Sequence, residues 1–305
     1  MKREPRSPGR LATFAALTCI VWFLGSAPVQ AEEQPGLERK AHDDSSHTRT
    51  HRFSWNFKRV HPAEGAAAGA LAATAIALIP IDPERRWVGA NSFEVWFQRR
   101  LLAPDSAQHK YGTASDVLAG VSIGTPVLVD LVGVVLIGDR NRDVGLQMFA
   151  IQAQAFAISG FVTNVVKLSG RARPCAVDGD CASDADANES YFSGHASLAF
   201  TGAGLTCAQH VHLKLFGRAG DAATCAGVLA TATVASVFRV VANRHWMTDA
   251  LTGAGVGLIS GWLMPWLMHY RHDLSERAHD KRRHLYSIAP FGGAGSVGLS
   301  AAGAF

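Results

Sequence analysis

Five long apolar runs dominate the chain, at residues 114–138, 145–166, 195–208, 222–242 and 250–269. Their length and lack of strict alternation predict helices rather than strands. Polar side chains interrupt several of them: Asp116, Asp130, Gln152, Gln154 and Asn164. Periodicity alone does not separate a buried core helix from a membrane span here. Two shorter elements precede these runs. AEGAAAGALAATAIALIP (63–80) is Ala-rich, ends at Pro80 and falls short of the ~20 residues a span needs. NSFEVWFQRRLL (91–102) is amphipathic, with Phe93, Trp96 and Phe97 beside Arg99 and Arg100; such a helix lies on a membrane surface or packs on the core. Gly253, Gly257 and Gly261 form a small-residue stripe, which is a packing face. No strand precedes it, so it is not a nucleotide loop. The pattern therefore predicts an all-α fold: a bundle of about five to six apolar helices, membrane-embedded. A Gly-rich tail, LYSIAPFGGAGSVGLSAAGAF (285–305), breaks the helical pattern and alternates like a β-hairpin.

The flanks set the compartment. Residues 1–31 read as a signal peptide: Lys2, Arg3, Arg6 and Arg10, then the apolar LATFAALTCIVWFLG, then small residues ending at Ala31. Its removal takes away four basic and one acidic residue, so the net charge falls from +4 to +1. No basic field remains for a nucleic-acid partner. Residues 32–62 are polar and charged and read as a mobile leader. Its histidines, at 42, 47, 51 and 61, lack metal-ligand spacing. Residues 63–270 then form the helical domain, with its core at 114–269, and 271–305 a basic and Gly-rich tail.

Export implies an oxidising compartment. Four cysteines remain after residue 31. Cys175 and Cys181 flank a turn-rich loop and could close a ring; Cys207 and Cys225 bracket a polar hairpin and could staple two helices. None has zinc-type spacing. The basic segments 138–143, 210–218 and 271–284 lie between or after the long runs, and the positive-inside rule gathers them on the cytoplasmic side. That leaves 167–194 and 239–249 together on the exported side, with five spans and 63–80 not crossing. A crossing by 63–80 would reverse the parity. The competing reading is a water-soluble exported helical protein. The hydrophobic content of 48% and a mean hydropathy of +0.09 are lean for a polytopic membrane protein, and a Cys207–Cys225 staple on a cytoplasmic side would be reduced.

Those two exported segments carry the chemistry. In FRVVANRHWMTD (238–249), His245 and Asp249 sit one helical turn apart on one face. A carboxylate there can accept the ring N–H, fixing the tautomer and freeing the other nitrogen to act as a nucleophile. KLSGRARP (167–174) ends an apolar helix with three cations and a proline stop. YFSGHAS (191–197) begins the next: Ser193 and Gly194 can cap it, so its free amides and dipole make an anion seat with His195 in the first turn. With Arg173 and Arg239 added, two guanidiniums and a helix N-terminus suit a tetrahedral oxyanion, a phosphate or an analogue.

In this order the motifs resemble the superfamily of type 2 phosphatidic acid phosphatases, bacterial acid phosphatases and vanadium haloperoxidases. That family carries Lys-x6-Arg-Pro, Pro-Ser-Gly-His and Ser-Arg-x5-His-x3-Asp. Here Arg173-Pro174, Ser193-Gly194-His195 and Arg239-x5-His245-x3-Asp249 match. Phe192 and Phe238 replace the motif Pro and Ser, and Lys167 lies six residues before Arg173 where the family has seven, at Val166. One residue turns a helical side chain by ~100°, so either Lys167 reaches in on its flexible stem or Arg171 serves instead. The resemblance implies a metal-independent phosphatase with no cofactor. His245 attacks phosphorus, oriented by Asp249; His195 protonates the leaving alcohol and then activates water. Arg173, Arg239, Lys167, Ser193 and the Gly194 amide hold the phosphate oxygens. The expected substrate is a phosphate monoester or a diphosphate carried by a lipid, or else a small phosphate ester for a soluble periplasmic acid phosphatase. A vanadium haloperoxidase and a non-catalytic membrane scaffold are the remaining alternatives. Oligomeric state has no signature.

Overall fold

In a computed structural model, residues 51–272, 286–293 and 296–303 are described. The expected signal peptide and most of the expected leader lie outside them, as does 273–285. Helix α1 spans Pro62–Leu78, α2 Ser92–Leu101, α3 Asp105–Gly138, α4 Arg142–Lys167, α5 Pro174–Asp178, α6 Gly194–Leu213, α7 Gly217–Val241 and α8 Met247–Tyr270. The last fourteen residues of α3, Thr125–Gly138, wind with wider π-type turns, as do parts of α8. Prolines stand at both places, Pro126 and Pro265, and a proline has no N–H to give to the ordinary ladder. Tyr286–Gly293 and Ser296–Gly303 pair as an antiparallel hairpin, as the alternation of the tail predicts.

The centre of the bundle is α6, buried at every position but Leu198 from Ala196 to His210. Helix α8 packs on it through the glycine stripe. A Cβ at Gly253 would lie 2.5 Å from the Ser193 carbonyl oxygen, and one at Gly257 or Gly261 would collide with the Ser197 or Thr201 carbonyl. The two backbones touch, which presses the start of α8 against the start of α6. Cys207–Cys225 staples α6 to α7, and Cys175–Cys181 closes the loop after α5's first turn. α3, α4, α7 and α8 are long and apolar enough to cross a membrane. Their outer faces carry exposed large apolar side chains, Val117, Leu128, Ile137 and Leu146 among them, each at least 60% exposed. So much outward apolar surface is more than a water-facing exterior usually carries.

One expectation needs correction: the end of the leader is not mobile, since residues 51–61 form a strap across the end of the bundle. Phe53, Trp55 and Phe57 are buried with Leu131, Val135, Met148 and Tyr270. The amides of Arg52 and Phe53 donate to the Asp139 carboxylate at 2.7 and 3.3 Å, and Arg59 pairs with Asp143 through two bonds. Three aromatics among these eleven residues bury enough surface to outweigh the chain entropy. Helix α1 is shorter than the four helices able to cross a membrane. It runs parallel to α4 for about 25 Å, tied at its start by Val60 N–H to Gln147 Oε1 and near its end by Asn164 to the Ala75 carbonyl. Among the described residues the bundle therefore has six long helices, and the strap and the ends of α4 and α7 lie at opposite ends of it.

Helix α2 turns its polar side inward: Glu94 and Gln98 are buried while Phe93 and Trp96 are exposed. Gln98 donates to Asn243 at 2.6 Å and Glu94 takes a buried arginine, so specific polar partners outweigh the apolar face.

Candidate active site

Four helix termini converge at the end of the bundle away from the strap. Lys167 closes α4, the Ser193–His195 segment opens α6, Arg239 lies in the last turn of α7, and His245 and Asp249 flank the start of α8. The connecting loops are pinned: Trp87 N–H reaches the Gly170 carbonyl at 3.3 Å, and Ala172 N–H returns to the Trp87 carbonyl at 2.9 Å.

His245 is 2% exposed. Its Nδ1 lies 2.8 Å from the Ser190 carbonyl oxygen. A carbonyl can only accept, so Nδ1 carries the hydrogen and the lone pair sits on Nε2. Burial first, then the charges of Arg173, Arg239 and Lys167, hold the imidazole well below its ordinary range, so the ring is neutral at pH 7. This is the protonation state a nucleophile needs.

Asp249 does not take the ring hydrogen directly: Oδ2 is 3.8 Å from His245 Nδ1. It accepts instead from Ser190 Oγ at 2.5 Å and the Trp246 amide at 3.0 Å, while Oδ1 takes Arg171 Nη1 at 2.6 Å. The carboxylate orients the histidine at one remove, by holding the residue whose carbonyl holds the ring.

Arg171 faces away from the anion seat. It is 2% exposed, bonded to Glu94 and Asp249 at 2.6 Å each, with its guanidinium 4.2 Å above the Trp87 ring. That removes Arg171 as a substitute for the motif lysine. Lys167 is in place: its Nζ comes within 3.9 Å of where a Gly194 Cβ would stand, and is steadied by Glu189 at 3.1 Å. The flexible stem absorbs the one-residue shift.

Arg173 is buried, with Nε donating to the Asp186 carbonyl at 2.8 Å and Nη2 paired with the Asp186 carboxylate at 2.8 Å. Ser193 caps α6, accepting from Ala196 N–H at 3.4 Å, and its own N–H donates to the Asp249 carbonyl at 3.1 Å. Arg239 Nη1 meets Asp116 Oδ1 at 3.2 Å, while its buried Nε has no hydrogen-bond partner among the described residues. The same Asp116 oxygen stands 2.8 Å from His195 Nε2.

All eight expected site residues therefore gather at one end of the bundle. Sequence reasoning missed Asp116, Ser190, Glu94, Glu189 and Asp186, which serve them. For Asp116 a signal existed: an acid inside an apolar helix is expensive and calls for a partner. Among the described residues, no group of three or more His, Cys, Asp or Glu is arranged to hold a metal ion.

The helix ends thus bring two histidines, two arginines and a lysine to one end of the bundle. Residues 149–273 match the model of the PAP2 superfamily. Over 129 residues it is 35% identical to a Lipid A 1-phosphatase from Porphyromonas gingivalis. The match covers 42% of this chain but about a quarter, 25%, of that relative's length. No solved structure matches.

Proposed function

We propose that the chain is a metal-independent phosphatase of lipid-borne phosphate esters, working through a phosphohistidine on His245. The observation that carries this is the His245 ring: neutral, its Nδ1–H spent on the Ser190 carbonyl, and its Nε2 lone pair left for an anion gathered by Arg173, Arg239, Lys167 and the start of α6. Nε2 attacks phosphorus as the bond to the ester oxygen breaks. His195, as the imidazolium beside the Asp116 carboxylate, gives that oxygen a proton and becomes the neutral base. It then takes a proton from water, whose oxygen attacks the phosphohistidine and releases phosphate, restoring His245. Covalent transfer divides one hard displacement into two easier ones. The cations and α6 amides meet the charge on the equatorial oxygens.

Two facts favour a lipid substrate: the apolar exterior of the bundle and the name of the relative. A periplasm-facing site fits the Cys175–Cys181 disulfide beside it. A second reading has a specific observation behind it. Cys207–Cys225 lies in the strap-side half of the bundle, and α1 leads from the strap to the site, so an exported leader and an exported site agree if the whole bundle is exported. That is the soluble periplasmic phosphatase.

The test is phosphate release from phosphatidate and from p-nitrophenyl phosphate in EDTA, with His245→Ala alongside. Release that survives EDTA and vanishes in the variant supports the reading; a variant that keeps its rate refutes it. Detergent dependence, and maleimide blocking of Cys207 and Cys225 before reduction, separate the two settings.

A further inference from the structure

A carboxylate in an anion pocket is out of place. Asp116, on the fourth turn of α3, puts one oxygen 2.8 Å from His195 Nε2 and 3.2 Å from Arg239 Nη1, and its side chain is 58% exposed. It is therefore open to solvent while touching two of the groups the proposed reaction uses. The geometry points to Asp116 as a leaving-group selector: it favours phosphate monoesters whose alcohol carries a hydroxyl or amine near the ester oxygen, as sugar and amino-sugar phosphates do, and disfavours diphosphates.

The inference rests on the phosphatase reading and follows from where the proton must go. The leaving oxygen has to come within about 2.6–3.2 Å of the histidine nitrogen that protonates it. In this structure that position beside His195 Nε2 is held by the Asp116 oxygen. Substrate displaces that contact, and whatever follows the ester oxygen then lies against the carboxylate. For a monoester the leaving group is a neutral alcohol, and a neighbouring hydroxyl or ammonium can donate to Asp116. For a diphosphate the leaving group is itself a phosphate, at least singly negative, facing a carboxylate a few ångströms away. The nearest other guanidinium along the chain, Arg244, is engaged by Asp184 at 3.2 Å.

The experiment compares the wild type with Asp116→Asn. It reads kcat/KM for a hexosamine 1-phosphate lipid and for farnesyl diphosphate, together with calorimetric binding of orthophosphate and inorganic pyrophosphate. The neutral isostere is expected to shift the diphosphate-to-monoester ratio by about tenfold or more toward diphosphate, on the scale of one charge contact at a partly exposed site. Pyrophosphate should tighten relative to orthophosphate by a similar factor. Unchanged ratios overturn the inference, even if both rates fall together, which would leave Asp116 a positioning residue for His195. Should Asp116→Asn not fold, the wild type and Asp116→Glu decide: both must bind pyrophosphate no more tightly than orthophosphate, and tighter pyrophosphate overturns the inference. If the wild type hydrolyses neither ester, the phosphatase reading fails, while the pyrophosphate titration still judges Asp116.

Discussion

Replacing Arg171 with methionine separates a structural arginine from a substrate-binding one. The guanidinium bridges two carboxylates, Glu94 and Asp249, at 2.6 Å each, and all three side chains are at most 2% exposed. Removing one member of such a buried network leaves the others charged and uncompensated, which typically costs about 3–5 kcal/mol. Loss of the contact over the Trp87 ring, 4.2 Å from the guanidinium, adds to this by about 0.5–2 kcal/mol. In a chain of this size each kcal/mol lowers Tm by about 2–4 °C, so a fall of roughly 10 °C is expected. Differential scanning fluorimetry in detergent reads the Tm, and initial rates on p-nitrophenyl phosphate below the transition read KM and kcat. A large fall in Tm and kcat with little change in KM is the expected pattern, because Asp249 loses its anchor and with it Ser190 and the His245 ring. Lys167→Met should show the converse, a raised KM with Tm nearly unchanged. If Arg171→Met raises KM and leaves Tm alone, the assignment of Arg171 to the support network is wrong.

Other outcomes follow from the same geometry. Gly253→Val should push α8 off the start of α6, since even a Cβ would come within 2.5 Å of the Ser193 carbonyl; it should lose about 1–3 kcal/mol of stability and most activity, whereas Gly255→Ala, which meets nothing within 4 Å, should behave as wild type by both assays. Because His245 is held well below its ordinary range, its neutral form should persist as pH falls through 6, and the kcat/KM profile should keep its acid limb below the free-imidazole value. An acid limb near pH 6.5 assigned to His245 by mutation would contradict this. The linked stability effect has a definite sign: the unfolded chain binds that proton first, so stability falls as pH drops below ~6.5 toward the folded value. Chemical denaturation at pH 7 and pH 5 reads it, with the slope reduced in His245→Ala.

The chain order of Arg173, Ser193, His195, Arg239, His245 and Asp249 was legible because spacing along helix ends carries it. One helical turn relates His245 to Asp249, and a cap relates Ser193 to His195. The glycine stripe at 253, 257 and 261 was legible as a packing face, whereas the loops only offered the two cysteine pairings and left them undecided. What was hidden depends on partners far away in sequence. Nothing near Asp249 tells that its carboxylate serves Ser190 and Arg171 rather than the imidazole one turn away, because that outcome is settled by a loop more than fifty residues earlier. The inward polar face of α2 is of the same kind: Glu94 is buried because Arg171 needs an anion. The strap was hidden by composition, since charged residues surround Phe53, Trp55 and Phe57 and a window average conceals three buried rings.

The central claim is a phosphoryl group on His245. The direct measurement uses His195→Ala with a 32P-labelled aryl phosphate, whose leaving group needs no proton, followed by a rapid quench. The account predicts an acid-labile, alkali-stable label that accumulates because water is no longer activated, maps to the peptide carrying His245, and is absent from the His195→Ala, His245→Ala double variant. Turnover by the wild type with no label at His245 under any quench would contradict it.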